Sequence, residues 1–205
     1  MLYLPPGWAH HGVSQSDDCM TYSVGFRAPS ADEAITSFAD YLGEQQPPSR
    51  RYGDAGMTPA EDPGELDQAA LSRMRQLILE TLDDPAQMAQ WFGRVMTQPK
   101  YVDQLEPSET PTAPDELVAA LQEGEVLVAA PGSRFAWHAL ADDRATLFAD
   151  GDGIDCDLAL AREIANRGEF DASLLDYPGA AEVLTRLFDA GSLGWPVDDM
   201  EDDDA

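Results

Sequence analysis

The chain has little lysine, histidine and cysteine, and it contains no long apolar run. Lys100 is the only lysine among twelve basic residues, and there are three histidines. Two cysteines, Cys19 and Cys156, are too few for a disulfide framework, so we expect reduced thiols and a cytoplasmic location. No apolar stretch reaches the roughly 20 residues that span a bilayer, so we expect no membrane partner.

Several binding and catalytic motifs are also missing. The sequence has no G-x-x-x-x-G-K-[ST] loop, no G-x-G-x-x-G turn and no G-x-S-x-G elbow, so nothing favours nucleotide binding or serine hydrolysis. The stretch "DGDGIDCD" (150–157) suggests calcium, but Ile154 and Ala161 stand where an EF-hand loop needs ligands. We therefore predict a turn leading to an aspartate-capped helix. His138 lies among apolar residues of a predicted strand, which is typical of a structural histidine.

The charge is strongly one-sided, with 39 acidic residues against 12 basic ones and a formal net charge of −27. Such a surface repels nucleic-acid phosphate, so we expect no direct binding of nucleic acid. An acidic surface speeds the encounter with a basic partner. The alternative is an adaptation to solubility, for example at high salt, because the acidic residues are spread over the whole chain.

The first half of the sequence changes from strand-like to helical character. Residues 1–27 are predicted to be strands, with "SQSDD" (14–18) as a polar hairpin loop. Ser30 then predicts a helix cap. The helix that follows has an apolar stripe of Ile35, Phe38, Ala39 and Leu42. A segment rich in Pro, Gly, Arg and Asp (45–64) is predicted to be a linker.

Two further helices are predicted from apolar residues at helical spacing. The first carries Leu71, Met74, Leu77, Ile78 and Leu82, and the second carries Met88, Trp91, Phe92, Val95 and Met96. The "DDP" between them (83–85) predicts an antiparallel helical hairpin. Stripes this wide need cover from a second copy of the chain or from a neighbouring domain, and the pattern leaves both open.

The last third of the chain predicts a small α+β module of winged-helix type. After a second linker, "EPSETPTAP" (106–114), come a helix over 114–122 and the strands "EVLVAA", "RFAWHAL" and "ATLF", which we interpret as a three-stranded meander. The turn "ADGDGID" and helices near 157–167 and 178–190 follow. Residues 198–205 are predicted to be a solvated acidic tail.

The clearest candidate for chemistry is the beginning of the sequence, "MLYLPPGWAHHGVS". A Pro-Pro-Gly corner fixes the backbone direction and therefore aims the histidine that follows it. A non-haem iron site uses two histidines and one carboxylate on one side of the metal. Because adjacent strand residues point to opposite faces, His10 and His11 cannot easily bind the same ion, although one of them could bind it.

Four motifs, in this order, resemble one family. They are "LYLPPGWAHHGVS", "MTYSVGFRAPS", "WFG" within a helix, and "GEVLVAAPGSRF". The family is the bacterial ribosomal oxygenases of the JmjC/cupin superfamily, which hydroxylate an arginine of a large-subunit ribosomal protein. The resemblance implies Fe(II) as cofactor, 2-oxoglutarate as co-substrate and a basic ribosomal protein as substrate.

The resemblance also implies an α+β architecture of three parts. Residues 1–29 would be the last strands of a double-stranded β-helix, residues 30–106 a helical segment that forms a homodimer, and residues 114–197 a winged-helix-like domain. In the family, iron is held by an H-x-D pair and by a later histidine after the Pro-Pro-Gly corner, and that later ligand corresponds to His10. Thr21 matches a position that faces the 2-oxoglutarate pocket.

One departure from the family limits this interpretation. No histidine of the sequence stands in an H-x-D or H-x-E pair, so two of the three iron ligands are missing. We therefore expect this chain to be the carboxy-terminal portion of a longer oxygenase, with Met1 as an internal methionine, and to show no turnover alone. The alternatives are a non-catalytic dimerisation or protein-interaction module and, against the acidity of residues 139–205, a DNA-binding winged helix.

Overall fold

The structure is a computed structural model, and it describes residues 3–5, 7–20, 22, 28–56, 58, 62, 64–100 and 105–196. The helices of these residues are α1 (Ala31–Gln45), α2 (Gln68–Leu82), α3 (Pro85–Thr97), α4 (Pro114–Gln122), α5 (Leu158–Asn166) and α6 (Ala180–Asp189). The strands are β1 (Leu127–Ala129), β2 (Phe135–Ala139), β3 (Arg144–Ala149), β4 (Asp152–Asp157), β5 (Glu169–Phe170) and β6 (Leu193–Gly194). The chain divides into two compact units, residues 1–36 and 37–205. The expected α+β class is confirmed.

The described residues of the first unit do not form the strands that we predicted over residues 1–27. Its described residues before 28 form turns and irregular backbone, without a strand. A strand persists only when its N–H and C=O groups pair with a neighbouring strand, and the described part of this segment contains no such neighbour. Residues 1 and 2 of the predicted first strand, and residues 21 and 23–27, which belong to or follow the predicted second strand, lie outside the described residues.

Local features of the first unit agree better with the sequence. The predicted loop at 14–18 forms a turn, in which the Ser14 hydroxyl donates to the Ser16 carbonyl at 2.7 Å and the Cys19 N–H donates to the same oxygen at 3.3 Å. Ser30 caps α1 as predicted. Its N–H donates to Glu33 Oε2 at 2.9 Å and its Oγ accepts from the Glu33 N–H at 3.4 Å, which is a capping box.

Two of the four residues in the predicted apolar stripe of α1 are buried. Phe38 and Leu42 are buried, whereas Ile35 is 71% exposed and Ala39 is also exposed. The Phe38 ring lies 5.1 Å from the ring of Trp91 in α3, and the Trp91 indole N–H donates to Ser37 Oγ at 3.1 Å. Contact with one neighbouring helix covers a narrower strip than the sequence pattern predicted.

Helix α3 packs on one face of the sheet formed by β2, β3 and β4. Gly93 provides the closest approach, because a Cβ at that position would lie 2.3 Å from the Phe148 ring. The Gln90 amide donates to Thr146 Oγ1 at 3.1 Å in the same interface. The Thr97 hydroxyl accepts from the Gly151 N–H at 3.1 Å, so the end of α3 is fixed to the β3–β4 turn.

Helix α2 is packed much less closely. It begins at an N-cap, Asp67, whose carboxylate accepts from the Ala70 N–H at 2.7 Å, but none of its residues is buried. The predicted linker follows this helix over part of its length, because Arg73 donates to the carbonyls of Gly53 and Ala55, each at 3.3 Å. Residues 53–55 are thus tied to α2. Of the described helices, none is both long and apolar enough to cross a membrane.

The prediction of a three-stranded meander was wrong about which strands form it. "EVLVAA" forms β1, which pairs antiparallel with β5 and β6 in a separate sheet. The meander consists of β2, β3 and β4, and β4 is the stretch that we predicted to be a turn. The sequence did not reveal the true partners of β1, because β5 and β6 are two-residue strands and are too short to give a recognisable pattern.

The two turns of the meander have backbone torsions that favour aspartate and glycine. Asp142 and Asp143 have φ values of 57° and 53°, and Asp150 and Gly151 have φ values of 49° and 91°. Positive φ at both central residues defines the type I′ turn, whose twist matches that of the flanking strands. The sequence Asp-Gly at 150–151 therefore starts β4 at the next residue.

The main core lies between these sheets and helices α4, α5 and α6. Its fully buried large side chains include Leu117, Leu121, Leu127, Leu147, Leu160, Ile164, Phe170, Leu174, Leu184 and Leu187. The predicted linker at 106–114 closes against the end of α6. There Asp189 accepts from the N–H of Ser108 through its carbonyl at 2.9 Å and from the N–H of Thr112 through its carboxylate at 3.1 Å.

Candidate functional site

The corner before the histidines is a tight turn. The Trp8 N–H donates to the Pro5 carbonyl at 3.3 Å, and Gly7 has a φ of 79°. Such a φ is strained for residues with a Cβ and is ordinary for glycine, which explains glycine at the third position of the turn. The corner therefore forms from local chemistry alone, without a strand on either side among the described residues.

The predicted metal ligand lies two residues after this turn. His10 and its neighbour His11 are both exposed and have irregular backbone. Among the residues that the structure describes, no group of three or more His, Cys, Asp or Glu side chains is arranged to hold a metal ion. The other predicted site residue, Thr21, lies outside the described residues. The residues present do not make a complete iron site, because a stable site needs several preorganised donors.

The aspartates of "DGDGIDCD" serve the fold. Asp150 accepts from the Ser133 hydroxyl at 2.8 Å and from the Arg134 N–H at 2.9 Å, and Asp155 accepts from the Thr146 hydroxyl at 2.7 Å. Asp157 caps α5 by accepting from the N–H groups of its first turn at 2.9 and 3.1 Å. The predicted aspartate-capped helix is therefore confirmed.

Two groups in β4 have shifted pKa values. Burial raises the pKa of the Cys156 thiol, so this cysteine remains protonated and unreactive at neutral pH. Partial burial also acts to raise the pKa of Asp152, but hydrogen bonds and charges from Arg186 and Arg94 outweigh it and hold that pKa below its usual value. Asp152 Oδ2 lies 2.7 Å from Arg186 and Oδ1 lies 3.4 Å from Arg94. This carboxylate connects α3, β4 and α6.

Beside β4 the structure contains a groove of about 520 Å³ that sequence analysis missed. Its lining is Asp142, Asp143, Arg144, Ile154, Asp155, Cys156, Asp157, Pro178, Gly179, Glu182, Val183 and Arg186. The residues come from three separate segments of the sequence, 142–144, 154–157 and 178–186. No local motif could have indicated it, apart from the density of aspartate around 142–157.

The fold and these sites define a winged-helix protein with an additional amino-terminal segment. The family model described as "ROXA-like winged helix" matches residues 80–194, and the chain belongs to that family. The match begins before α3 and includes the helix that packs on the meander. A second family model, "JmjC domain", matches residues 1–34.

Relatives and solved structures agree with both matches. The ribosomal protein uL16 3-hydroxylase of Escherichia coli is 34% identical over 196 residues, which cover 93% of this chain and 51% of the relative. A probable ribosomal oxygenase of Haemophilus influenzae is 23% identical over 207 residues, covering 95% of this chain and 44% of the relative. The chain spans about half the length of the curated relatives it matches.

Among solved structures, an X-ray structure of E. coli YcfD aligns with a TM-score of 0.72 and 29% identity, covering 84% of this chain and 46% of that one. YcfD, a ribosomal oxygenase, in complex with cobalt and 2-oxoglutarate aligns with a TM-score of 0.69 and 29% identity, covering 85% of this chain and 48% of that one. The resemblance to bacterial ribosomal oxygenases that the sequence predicted is confirmed.

Proposed function

We propose that this chain belongs to an Fe(II)- and 2-oxoglutarate-dependent oxygenase that hydroxylates an arginine of a large-subunit ribosomal protein. The observation that carries the proposal is the order of the two family matches, JmjC at 1–34 and ROXA-like winged helix at 80–194, along one chain. The alignment with the E. coli uL16 3-hydroxylase runs through both segments. In this proposal residues 1–29 are the last strands of the JmjC barrel, residues 30–106 the helical dimerisation segment and residues 114–197 the winged-helix-like domain.

In this proposal His10 supplies one iron ligand and Thr21 faces 2-oxoglutarate. Iron with 2-oxoglutarate supplies the activation of oxygen in such enzymes. His10 is exposed, and the described residues bring no second and third donor together at it, so they do not provide the remaining ligands. The Pro5–Trp8 turn contributes by fixing the backbone direction just ahead of the histidine.

The charge of the chain supports the proposed substrate and location. Ribosomal proteins are basic, and a net charge of −27 favours their approach while it disfavours direct binding of nucleic acid. We place the protein in the cytoplasm, where the ribosome and reduced thiols are found. The exposed Cys19 is consistent with that location.

We also propose a homodimer formed through α2 and α3. Seven apolar side chains of these helices are between 38% and 51% exposed: Leu71, Met74, Ile78, Leu82, Met88, Phe92 and Met96. They recur every three or four residues and therefore form a stripe on each helix. A second copy of the chain, with the same stripes, would cover them.

A test of the activity uses the open reading frame of the gene, including any codons in frame before Met1. The product is incubated with Fe(II), 2-oxoglutarate and large-subunit ribosomal proteins, and mass spectrometry measures the gain of one oxygen atom on arginine. We expect hydroxylation, its loss in His10→Ala and its retention in His11→Ala, the matched control. Hydroxylation that survives His10→Ala would contradict the assigned ligand.

An activity assay of the 205-residue chain by itself, compared with the product of the full reading frame, distinguishes this proposal from the second candidate, a non-catalytic interaction module. We expect no release of succinate from 2-oxoglutarate by this chain, since one iron ligand is insufficient. A product of the full reading frame that is equally inactive and oxidises no arginine would favour the module.

The dimer is tested by light scattering coupled to size-exclusion chromatography. We expect the mass of two chains for the unmodified protein and of one chain for the double variant Met74→Glu, Ile78→Glu. The control adds the same charge to polar exposed positions of the same helix, Ser72→Glu and Gln76→Glu, and should stay dimeric. A monomeric unmodified protein would rule out the dimer.

A further inference from the structure

The groove of about 520 Å³ follows the outer edge of a strand. In the meander the strand order is β2–β3–β4, so β4 is an edge strand. Ile154, Asp155, Cys156 and Asp157 form one side of the groove, and the first turns of α6 with Gly179 form the opposite side. The turn at Asp142–Asp143 lies at one end. The groove is therefore open to solvent rather than a closed cavity.

The backbone of β4 presents unpaired hydrogen-bonding groups to this groove. The Leu158 N–H donates to the Asp143 carbonyl at 2.9 Å, which fixes the phase of the ladder. Residues 152, 154 and 156 then pair with β3, and 153 and 155 direct their N–H and C=O groups outward. Asp157, the N-cap of α5, directs only its N–H outward, because its C=O accepts the first hydrogen bond of that helix. The N–H of Gly153 meets the Asp152 carboxylate at 2.9 Å, and its carbonyl accepts from Arg186 at 3.5 Å. The open groups of the edge are therefore the N–H and C=O of Asp155 and the N–H of Asp157.

Exposed strand edges are templates for another extended chain, and proteins usually protect them with charge or cover. The charge at this edge is predominantly negative. Five carboxylates line the groove against the guanidinium groups of Arg144 and Arg186, and Arg186 already binds Asp152 at 2.7 Å. A second β4 edge would bring aspartates against aspartates, so pairing of two copies here is disfavoured. The same acidity repels phosphate groups.

We propose that this groove binds an extended peptide segment rich in arginine or lysine, which adds as a strand to the edge of β4. The N–H and C=O groups of Asp155 and the N–H of Asp157 pair with the peptide backbone. The carboxylates of Asp142, Asp143 and Glu182 bind its basic side chains. The groove would thus be a docking site for a basic protein partner; the inference rests on the proposed function insofar as that partner is the basic ribosomal substrate.

The binding test uses the complete chain and a fluorescently labelled peptide that alternates arginine with valine. Fluorescence anisotropy measures its affinity at about 0.15 M salt, where exposed charges more than about 8 Å apart are largely screened. Two control peptides separate the contributions. One replaces arginine by glutamate, and the other keeps arginine but carries N-methyl groups on alternate backbone nitrogens, which prevents strand pairing. We expect binding of the first peptide and of neither control.

Variants of the protein test the location. The triple variant Asp142→Asn, Asp143→Asn, Glu182→Gln removes three charges, and asparagine tolerates the positive φ of the turn. We expect affinity to fall by about tenfold, as for three weak exposed charge contacts. The control, Glu116→Gln, Glu123→Gln, Glu125→Gln, removes the same charge from exposed positions outside the groove and should change affinity by less than about twofold.

Two results would overturn the proposal. One is equal binding of the N-methylated peptide, which would reduce the interaction to general electrostatic attraction. The other is equal loss of affinity in both triple variants. Amide signals of Asp155 and Asp157 in an NMR titration provide an independent readout, and unchanged signals on saturation would also exclude the edge. Arginine hydroxylation by the full reading frame is measured separately, so either proposal can fail while the other stands.

Discussion

The residues before 23 and the region 127–194 contain similar apolar side chains, but those named here are exposed in the first region and buried in the second. In the first, Tyr3 is 78% exposed, Trp8 is 71% exposed and Tyr22 is 85% exposed. In the second, Leu127 and Phe170 are completely buried. Each strand of the second region finds its partners within that region, whereas no described residue of the first pairs as a strand.

This contrast shows that apolar composition does not by itself produce a core. Burial of an apolar side chain contributes about 25 cal/mol per Å² removed from water, but only if backbone polar groups are paired at the same time. Region 127–194 meets both conditions through two sheets and the helices that cover them. The JmjC-like segment meets neither among its described residues, although its Pro5–Trp8 turn forms.

The largest expected effect compares one aromatic residue of each region. Phe170→Ala should lower the free energy of unfolding by about 3–5 kcal/mol, because it removes a completely buried ring that packs 6.5 Å from that of Phe135. Trp8→Ala should change it by less than about 0.5 kcal/mol, since the indole is exposed. Urea unfolding followed by circular dichroism measures both. Similar losses of unfolding free energy in the two variants would contradict the contrast between the two regions.

Sequence reasoning succeeded where local signals were strong and independent of partners. The predicted helix at 114–122 has the bounds of α4, and the helices predicted near 157–167 and 178–190 correspond to α5 and α6. Pro114 and Asp157 mark two of these starts through their own backbone chemistry. Such signals need no knowledge of the rest of the chain.

It failed where a partner decides the structure. β4 has the sequence DGIDCD, which is rich in residues that strands usually avoid, and it is a strand because the turn at Asp150–Gly151 aligns it with β3. The candidate site shows the same limit. His10 could be selected from the Pro-Pro-Gly corner, but a three-ligand site depends on donors that the described residues do not bring to it.

A second prediction compares two helical glycines with different surroundings. A Cβ on Gly93 of α3 would meet the Phe148 ring at 2.3 Å, whereas a Cβ on Gly43 of α1 would have nothing within 4 Å. Gly93→Ala should therefore destabilise the protein by about 1–3 kcal/mol through overpacking. Gly43→Ala should stabilise it by about 0.5–1 kcal/mol through helix propensity. Thermal unfolding measures both, and a stabilising Gly93→Ala would show that α3 is not held against the sheet.

A third prediction compares two helix caps. Asp157 caps α5, which buries Leu160 and Ile164, and Asp67 caps α2, which buries nothing. Asp157→Ala should cost about 1 kcal/mol of global stability. Asp67→Ala should instead fray α2, so that helical circular dichroism falls while the urea midpoint stays constant. A shift of the midpoint in Asp67→Ala would indicate that α2 unfolds together with the core.

The smallest expected effect tests the carboxylate that joins α3, β4 and α6. The pKa of Asp152 is lowered in the folded state, so its charged form stabilises the fold at pH values above its ordinary pKa, and this contribution is lost as the pH falls through the lowered value. Because its side chain is 59% exposed, Asp152→Asn should cost less than about 1 kcal/mol at pH 7. The difference from the unmodified protein should shrink as the pH falls from 7 through the lowered pKa, because the carboxyl then becomes protonated in the folded state as well. Urea unfolding over a series of acidic pH values measures it, with Asp176→Asn as an exposed control, and a cost that does not shrink as the pH falls would assign the effect to packing rather than charge.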